Sequence, residues 1–278
     1  MKQTPARRRF KQHLGQANHF LITSLVALDE LERGPVAEGP PGLHAAWNPK
    51  DKAASIARTR TFVLKSFLGW AVDSIDMYIS LLNRKPKWLR NEPLVSSLDG
   101  AGRSVSRKTQ IVGKHFAVNL VTRALVDVLI TWRNNVFHEL ADNRLQQETA
   151  AVLASQGEAI RDNYRGLSAN GLSEKAEQGA PLTFKETASL ISAAHLFVEE
   201  VDAAVLETVD LAALCDEAVR SALDDDTRIA TFSAKFHSLT GDARSRFLRN
   251  WLQNNSGVSE VPDDVIEKCL LLRRKPAG

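Results

Sequence analysis

The segment Ile130-Thr131-Trp132-Arg133-Asn134-Asn135-Val136-Phe137-His138-Glu139-Leu140 holds the side chains best suited to chemistry in this chain. An imidazole changes its charge near neutral pH and can give or take a proton. An arginine's fixed donor fork suits phosphate oxygens and holds them more strongly as charge develops. The Asn134 amide can orient either one. If the segment is helical, Asn134 and His138 stand four residues apart and share a face. That face points away from Trp132 and Val136, with Asp127 and Asp142 near it and Ile130, Phe137 and Leu145 flanking it. A strip mixing polar and apolar side chains in this way suits a surface covered by a partner. Arg133 is turned about 140° from His138 at ~100° per residue. Its long side chain reaches round most easily if a helix begins near Asn134, which would then serve as the N-cap.

Other familiar sites are absent. There is no Walker A loop, GxGxxG, HExxH, GxSxG or EF-hand loop, and no two metal-ligating side chains fall at clean spacing. No cofactor and no metal are expected. A second Arg-x4-His, Arg8 to His13, carries Arg9 after the arginine and lies near the chain start, so it lacks the context of the first. Arg7, Arg8, Arg9 and Lys11, and the stretch with Arg84, Lys85, Lys87 and Arg90 beside Trp88, are candidate contacts for RNA phosphates. Arg244, Arg246, Arg249 and Trp251, and the basic run Arg273-Arg274-Lys275, are weaker versions of the same pattern. Cys215 and Cys269 read as core or neutral thiols, and His195 as a structural histidine in an apolar helix. Without CxxC spacing, the two cysteines suggest neither zinc nor a disulfide framework, and a reducing cytoplasm is the expected compartment.

The elements that must position these residues are helical. The chain has 278 residues, 44% hydrophobic and 25% charged, which excludes a disordered protein and is enough for a sizeable core. A net charge of +3 permits nucleic acid as a partner without demanding it. No apolar run approaches the ~20 residues of a membrane span. Arg7-Arg8-Arg9-Phe10 has a faint likeness to a twin-arginine signal, but His13, Gln16, Asn18 and His19 interrupt the apolar stretch. Phe10, Leu14, Ala17, Leu21, Leu25, Leu28 and Leu31 form a helical stripe instead, predicting a helix over 6–33.

A stiff loop with Gly39-Pro40-Pro41-Gly42 follows, with Trp47 expected to pin it. A second helix over 53–84 is apolar around much of its girth and should be central. Residues 85–107 read as loop, and a third helix over 108–132 continues through Val136 and Leu140 to about 165, bent or broken. Residues 166–182 read as a linker. Thr183 and Glu186 form a capping-box pattern that opens another helix. Shorter helices are expected at 210–223, 227–239, 242–253 and 263–274, with Asp210 and Asp263 as N-caps. No segment alternates with period two, so the chain reads as all-α.

The arginine, the asparagine beside it and the histidine five residues on, set between helices, resemble the motif of the HEPN superfamily. The likeness implies an antiparallel four-helix bundle over 1–165, the linker 166–182 and a C-terminal helical region over 183–278. It implies a metal-independent endoribonuclease that cleaves RNA by attack of the ribose 2′-OH on the adjacent phosphate. Arg133 and His138 would carry the reaction and Asn134 would support them. A single histidine cannot easily serve both ends of the breaking bond, so a homodimer through the face of Asn134 and His138 is expected. By the same likeness the chain is a toxin or antiphage-defence effector held in check by an antitoxin or regulatory protein. The rival reading is a non-catalytic helical interaction or regulatory module that binds a protein or nucleotide partner.

Overall fold

The computed structural model describes residues 2–35, 49–138, 142–224 and 232–272, and among these it is helical throughout, with no strand. The loop with Gly39-Pro40-Pro41-Gly42 and Trp47, the residues Glu139 and Leu140, and the run Arg273-Arg274-Lys275 lie outside the described residues. No helix among the described residues is long and apolar enough to cross a membrane.

Helix α1 (Pro5–Arg33) follows the apolar stripe read from the sequence, burying Ala6, Phe10, Leu14, Ala17, Leu21 and Leu28. It starts at Thr4, whose hydroxyl accepts from the Arg7 N–H, with Pro5 in the first turn where its missing N–H costs nothing. Helix α2 (Lys52–Asn83) lies antiparallel to α1: Phe10 meets Tyr78 edge-on near one end, and Arg60 pairs with Asp29 and Glu32 near the other.

The stretch 85–107, expected to be loop, contains helix α3 (Glu92–Gly100), capped by Asn91, with Leu94, Val95 and Leu98 buried. The helix expected to run from 108 to 132 and beyond is broken. Helix α4 (Val105–His115) stops where Ala117 turns to φ 50, and Asn119 then caps helix α5 (Leu120–Phe137), accepting from the Val121 and Thr122 N–H groups. Helices α6 (Gln147–Ser155) and α7 (Gly157–Asn163) follow as separate short pieces. Residues 166–182, read as linker, hold helix α8 (Ala169–Gln178), whose buried Leu172 and Ala176 give it a docking face. It packs on α5.

The capping box of Thr183 and Glu186 is present and opens helix α9 (Phe184–Thr208). This helix packs against α1, α2, α4 and α5, filling their shared core with Leu190, Ala194, Phe197 and Val201. The boundary expected at residue 183 therefore falls inside one hydrophobic core. Four further helices complete the described chain: α10 (Leu211–Asp224), α11 (Phe232–Ser238), α12 (Gly241–Ser256) and α13 (Asp263–Leu270). Asp210 accepts from the Ala213 N–H as a cap should, whereas at α13 the capping position is Pro262 and Asp263 is the first helical residue.

A buried polar knot ties the beginning of the chain to α9. The Asp202 carboxylate accepts from the Thr4 N–H at 3.0 Å, from the Thr4 hydroxyl, and from the Tyr78 hydroxyl at 3.3 Å. Burial pushes this carboxyl above its ordinary range, and the bonds from Thr4 partly offset that push.

Candidate functional site

The site is assembled on the last turn of α5, against one face of α2. Trp132, 1% exposed, holds α5 in register by donating its indole N–H to the Ala180 carbonyl at 2.8 Å. The next residue, Arg133, turns outward. One Nη lies 3.2 Å from Asp73 Oδ1 on α2, and the other donates to Asn134 Oδ1 at 3.2 Å. Its Nε is buried with no hydrogen-bond partner. Phe137, one turn on, places its ring 5.9 Å from the Arg133 guanidinium carbon. That ring lies directly over Gly69 of α2, where a Cβ would stand 3.0 Å from its Cζ. Gly69 is thus the residue that lets Phe137 approach, and Asp73, one turn along α2, fixes the arginine.

His138 is the C-cap of α5, with φ −120° and ψ 99° and its N–H donating to the Asn134 carbonyl at 3.1 Å. Its side chain is exposed and makes no hydrogen bond among the described residues. The structure thus brings Arg133 and Asn134 into contact and leaves His138 apart at the end of the helix. Asn134 is an interior helical residue rather than an N-cap, because the helix ends at this motif instead of starting there.

The outward strip is smaller than the helical wheel implied. Ile130 is 1% exposed and belongs to the core. Asp127 is buried, accepting from the Thr149 hydroxyl at 2.8 Å and the Gln146 N–H at 3.4 Å, and burial raises its carboxyl above the ordinary range. Leu145 is half-buried against the core, and Asp142 is exposed and pairs with Arg144 at 3.0 Å. Asn134, Phe137 and His138 remain.

The second asparagine has a different role, which sequence reasoning missed. Asn135 Nδ2 lies 2.9 Å from the Asn143 carbonyl, 3.1 Å from that of Ala176 and 3.2 Å from that of Glu177. Its Oδ1 accepts from the Asn143 N–H at 2.8 Å and the Asn143 amide at 3.0 Å. One carboxamide therefore pins the chain leaving the site to the end of α8.

The six basic residues proposed for RNA fall into two groups. Arg7 pairs with Glu199 at 2.6 Å, and Arg90 with Glu217 at 2.8 Å, where the Lys87 N–H also donates at 3.0 Å. Arg7 and Arg90 thus spend their charge internally, on α9 and α10, whereas Lys87 contributes only its backbone N–H. Arg8, Arg9, Arg84 and Lys85 are exposed and carry no ion pair among the described residues.

His13 stacks on Trp70 at 4.6 Å and bonds through Nδ1 to Ser74 Oγ at 2.8 Å. Because Ser74 donates its own proton to the Trp70 carbonyl, the imidazole donates from Nδ1 to Ser74, so this histidine clamps α1 to α2. Beside it Phe20, Phe62 and Trp70 line an apolar groove of about 210 Å³. His195 lies edge-on to Phe10 at 5.3 Å, a packing role as expected. Among the described residues no group of three His, Cys, Asp or Glu side chains could hold a metal ion.

Compared with known proteins, the chain matches no family model, no curated protein and no solved structure. The chemistry available at the α5 terminus is that of an oriented guanidinium donor and a free imidazole on one helix end.

Proposed function

We propose that this protein is a metal-independent endoribonuclease of HEPN type that works as a homodimer. The four long helices α1, α2, α5 and α9 would form its four-helix bundle, with α9 supplying a member that the sequence placed in a separate region. The observation that carries the reading is the end of α5: Arg133 is held in place by Asp73 and Asn134, while His138, five residues on at the C-cap, is exposed and makes no side-chain hydrogen bond among the described residues.

In the reaction, one imidazole takes the proton from the ribose 2′-OH as its oxygen bonds to phosphorus. The P–O5′ bond breaks, and a second imidazole, from the other copy, delivers a proton to the leaving O5′. The products are a 2′,3′-cyclic phosphate and a 5′-hydroxyl. The two Arg133 guanidinium groups donate to the phosphate oxygens as charge builds on the pentacoordinate phosphorus. Proton transfer of this kind contributes about 10²–10⁴-fold and a lost oxyanion donor costs about 10²–10³-fold. Such a nuclease needs restraint, consistent with a toxin or antiphage effector controlled by an antitoxin or regulatory protein.

The test is cleavage of RNA by the purified full chain in chelator, with the ends identified. Cyclic-phosphate ends and loss of cleavage in His138→Ala and Arg133→Ala support the reading, and cleavage unchanged in His138→Ala overturns it. A second reading, a non-catalytic interaction module, is favoured by one observation: Phe20 and Phe62, 55% and 68% exposed, line an open apolar groove on α1 and α2. Intact RNA with wild-type protein, together with loss of a bound protein partner in Phe62→Ser, would select it.

A further inference from the structure

Arg9, Arg84 and Lys85 come from the two basic stretches of the sequence, yet they line one groove of about 470 Å³. The groove lies between the first turns of α1, the C-terminal end of α2 and the C-terminal end of α12. Met77, Leu81 and Pro86 give it an apolar wall, and among the described residues no acidic side chain lines it. Among the described residues none of the three cations makes an ion pair, whereas their neighbours Arg7 and Arg90 are both neutralised by glutamates. Three cations around a concave surface repel one another, and only Lys85 also borders a neighbouring cleft lined by Asp216, Glu217 and Asp224. Such an arrangement is relieved by an anion of matching extent.

The groove is also aligned with the α5 site. Asp73, which holds Arg133, and Arg84 are eleven residues apart on α2. At ~100° per residue they share a face, and at ~1.5 Å rise they stand about 16 Å apart along it. Met77 lies on the same stripe, one turn after Asp73. A track therefore runs along α2 from the Arg133 guanidinium to the basic groove, over a distance a few nucleotides can span.

We infer that this groove binds the phosphates of single-stranded RNA, holding a substrate strand whose neighbouring nucleotides lie at Arg133 and His138. The inference rests on the ribonuclease reading for its direction and adds the strand's path. A single strand fits better than a duplex. Its unstacked bases can lie on the apolar wall while the three cations follow the backbone.

The test measures binding of labelled 12-nucleotide and 2-nucleotide RNAs on a His138→Ala background, across a salt series. The protein is compared with a triple variant carrying Arg9→Ala, Arg84→Ala and Lys85→Ala. Arg58→Ala, at an exposed arginine near the other end of α2 with no ion pair among the described residues, serves as the charge control. Circular dichroism confirms that each variant is folded, and Lys85→Ala alone provides a milder change. Three lost phosphate contacts at ~0.7 each lower the salt slope for the 12-mer by about 2, with a loss of affinity of at least about tenfold. Lys85→Ala alone lowers it by about 0.7. The dinucleotide, too short to reach the groove, binds all variants alike. In the cleaving protein the triple variant raises KM for the 12-mer and leaves kcat in place.

An unchanged salt slope in the triple variant overturns the inference while His138-dependent cleavage keeps the ribonuclease reading intact. An equal loss of dinucleotide binding also overturns it, since the groove would then be a nucleotide site. Groove-dependent binding of the 12-mer without any cleavage supports the inference and removes the ribonuclease reading.

Discussion

The two adjacent asparagines of the α5 terminus should separate cleanly when each is changed to alanine. Asn134 makes one side-chain hydrogen bond, to Arg133 at 3.2 Å, and is half-exposed. Asn135 has three carbonyl oxygens around its Nδ2 and two donors on its Oδ1. An amide nitrogen has two protons, so the three carbonyls share two bonds, and about four bonds in all are lost on truncation. At a net ~1 kcal/mol each, reduced for partial exposure, Asn135→Ala costs about 2–4 kcal/mol, and Asn134→Ala at most about 1 kcal/mol. Urea unfolding followed by tryptophan fluorescence reads the difference directly, since Trp132 lies three residues from Asn135 in the core. RNA cleavage gives the reverse order under conditions where both variants are folded. Asn134→Ala loses activity by freeing the guanidinium, and Asn135→Ala loses mainly stability. Equal unfolding midpoints for the two variants would refute the argument, because the carboxamide bridge to α8 would then carry no load.

Three other expectations follow from the structure. Gly257 caps α12 at φ 65° with Pro5 packed where a Cβ would go, so Gly257→Ala combines left-handed strain with overlap and costs about 1–3 kcal/mol. A thermal midpoint equal to wild type would refute it. Burial pushes the Cys215 thiol up to about 12 and the Cys269 thiol up to about 11, so at pH 8 a disulfide reagent should find no thiol in native protein and two in denaturant; one fast thiol in the native state contradicts this. Burial, helped by the Lys11 charge, lowers the His195 imidazole below its ordinary ~6.5. The unfolded chain then takes the proton first, so this contribution to stability is full above pH ~6.5 and is lost as pH falls toward the lower native value. The drop in urea midpoint between pH 7.5 and 5.5 should shrink in His195→Gln, and an undiminished drop rules the contribution out.

Much of the architecture was legible because helical periodicity is local. The stripes of α1 and α2 and the Thr183–Glu186 cap each lie within a few residues of one another, and their positions agree closely with the structure. The break at Ala117 was not legible. A positive φ at an alanine leaves no mark in composition, and the apolar pattern on both sides continues through it. The polarity of 166–182 suggested a linker, but Leu172 and Ala176 suffice to dock a short helix on a neighbour already in place. At the site, Arg133 and His138 stood out by type, whereas Asp73 and Gly69 did not. Their roles depend on the packing of α2 against α5, some sixty residues away. The basic residues misled most: nothing near Arg7 or Arg90 in sequence announces Glu199 or Glu217.

The knot between Thr4 and Asp202 joins positions 198 residues apart. On a ribosome adding roughly 5–20 residues per second, the two ends of that contact are made roughly 10–40 s apart. Throughout that interval the oily sides of the first two long helices have no complete shelter. Residues 133–138 are translated only for the last third of it, and the scaffold that orients them stays unfinished until Asp202 arrives. A nascent chain of this kind is a client for chaperones until its late helix arrives.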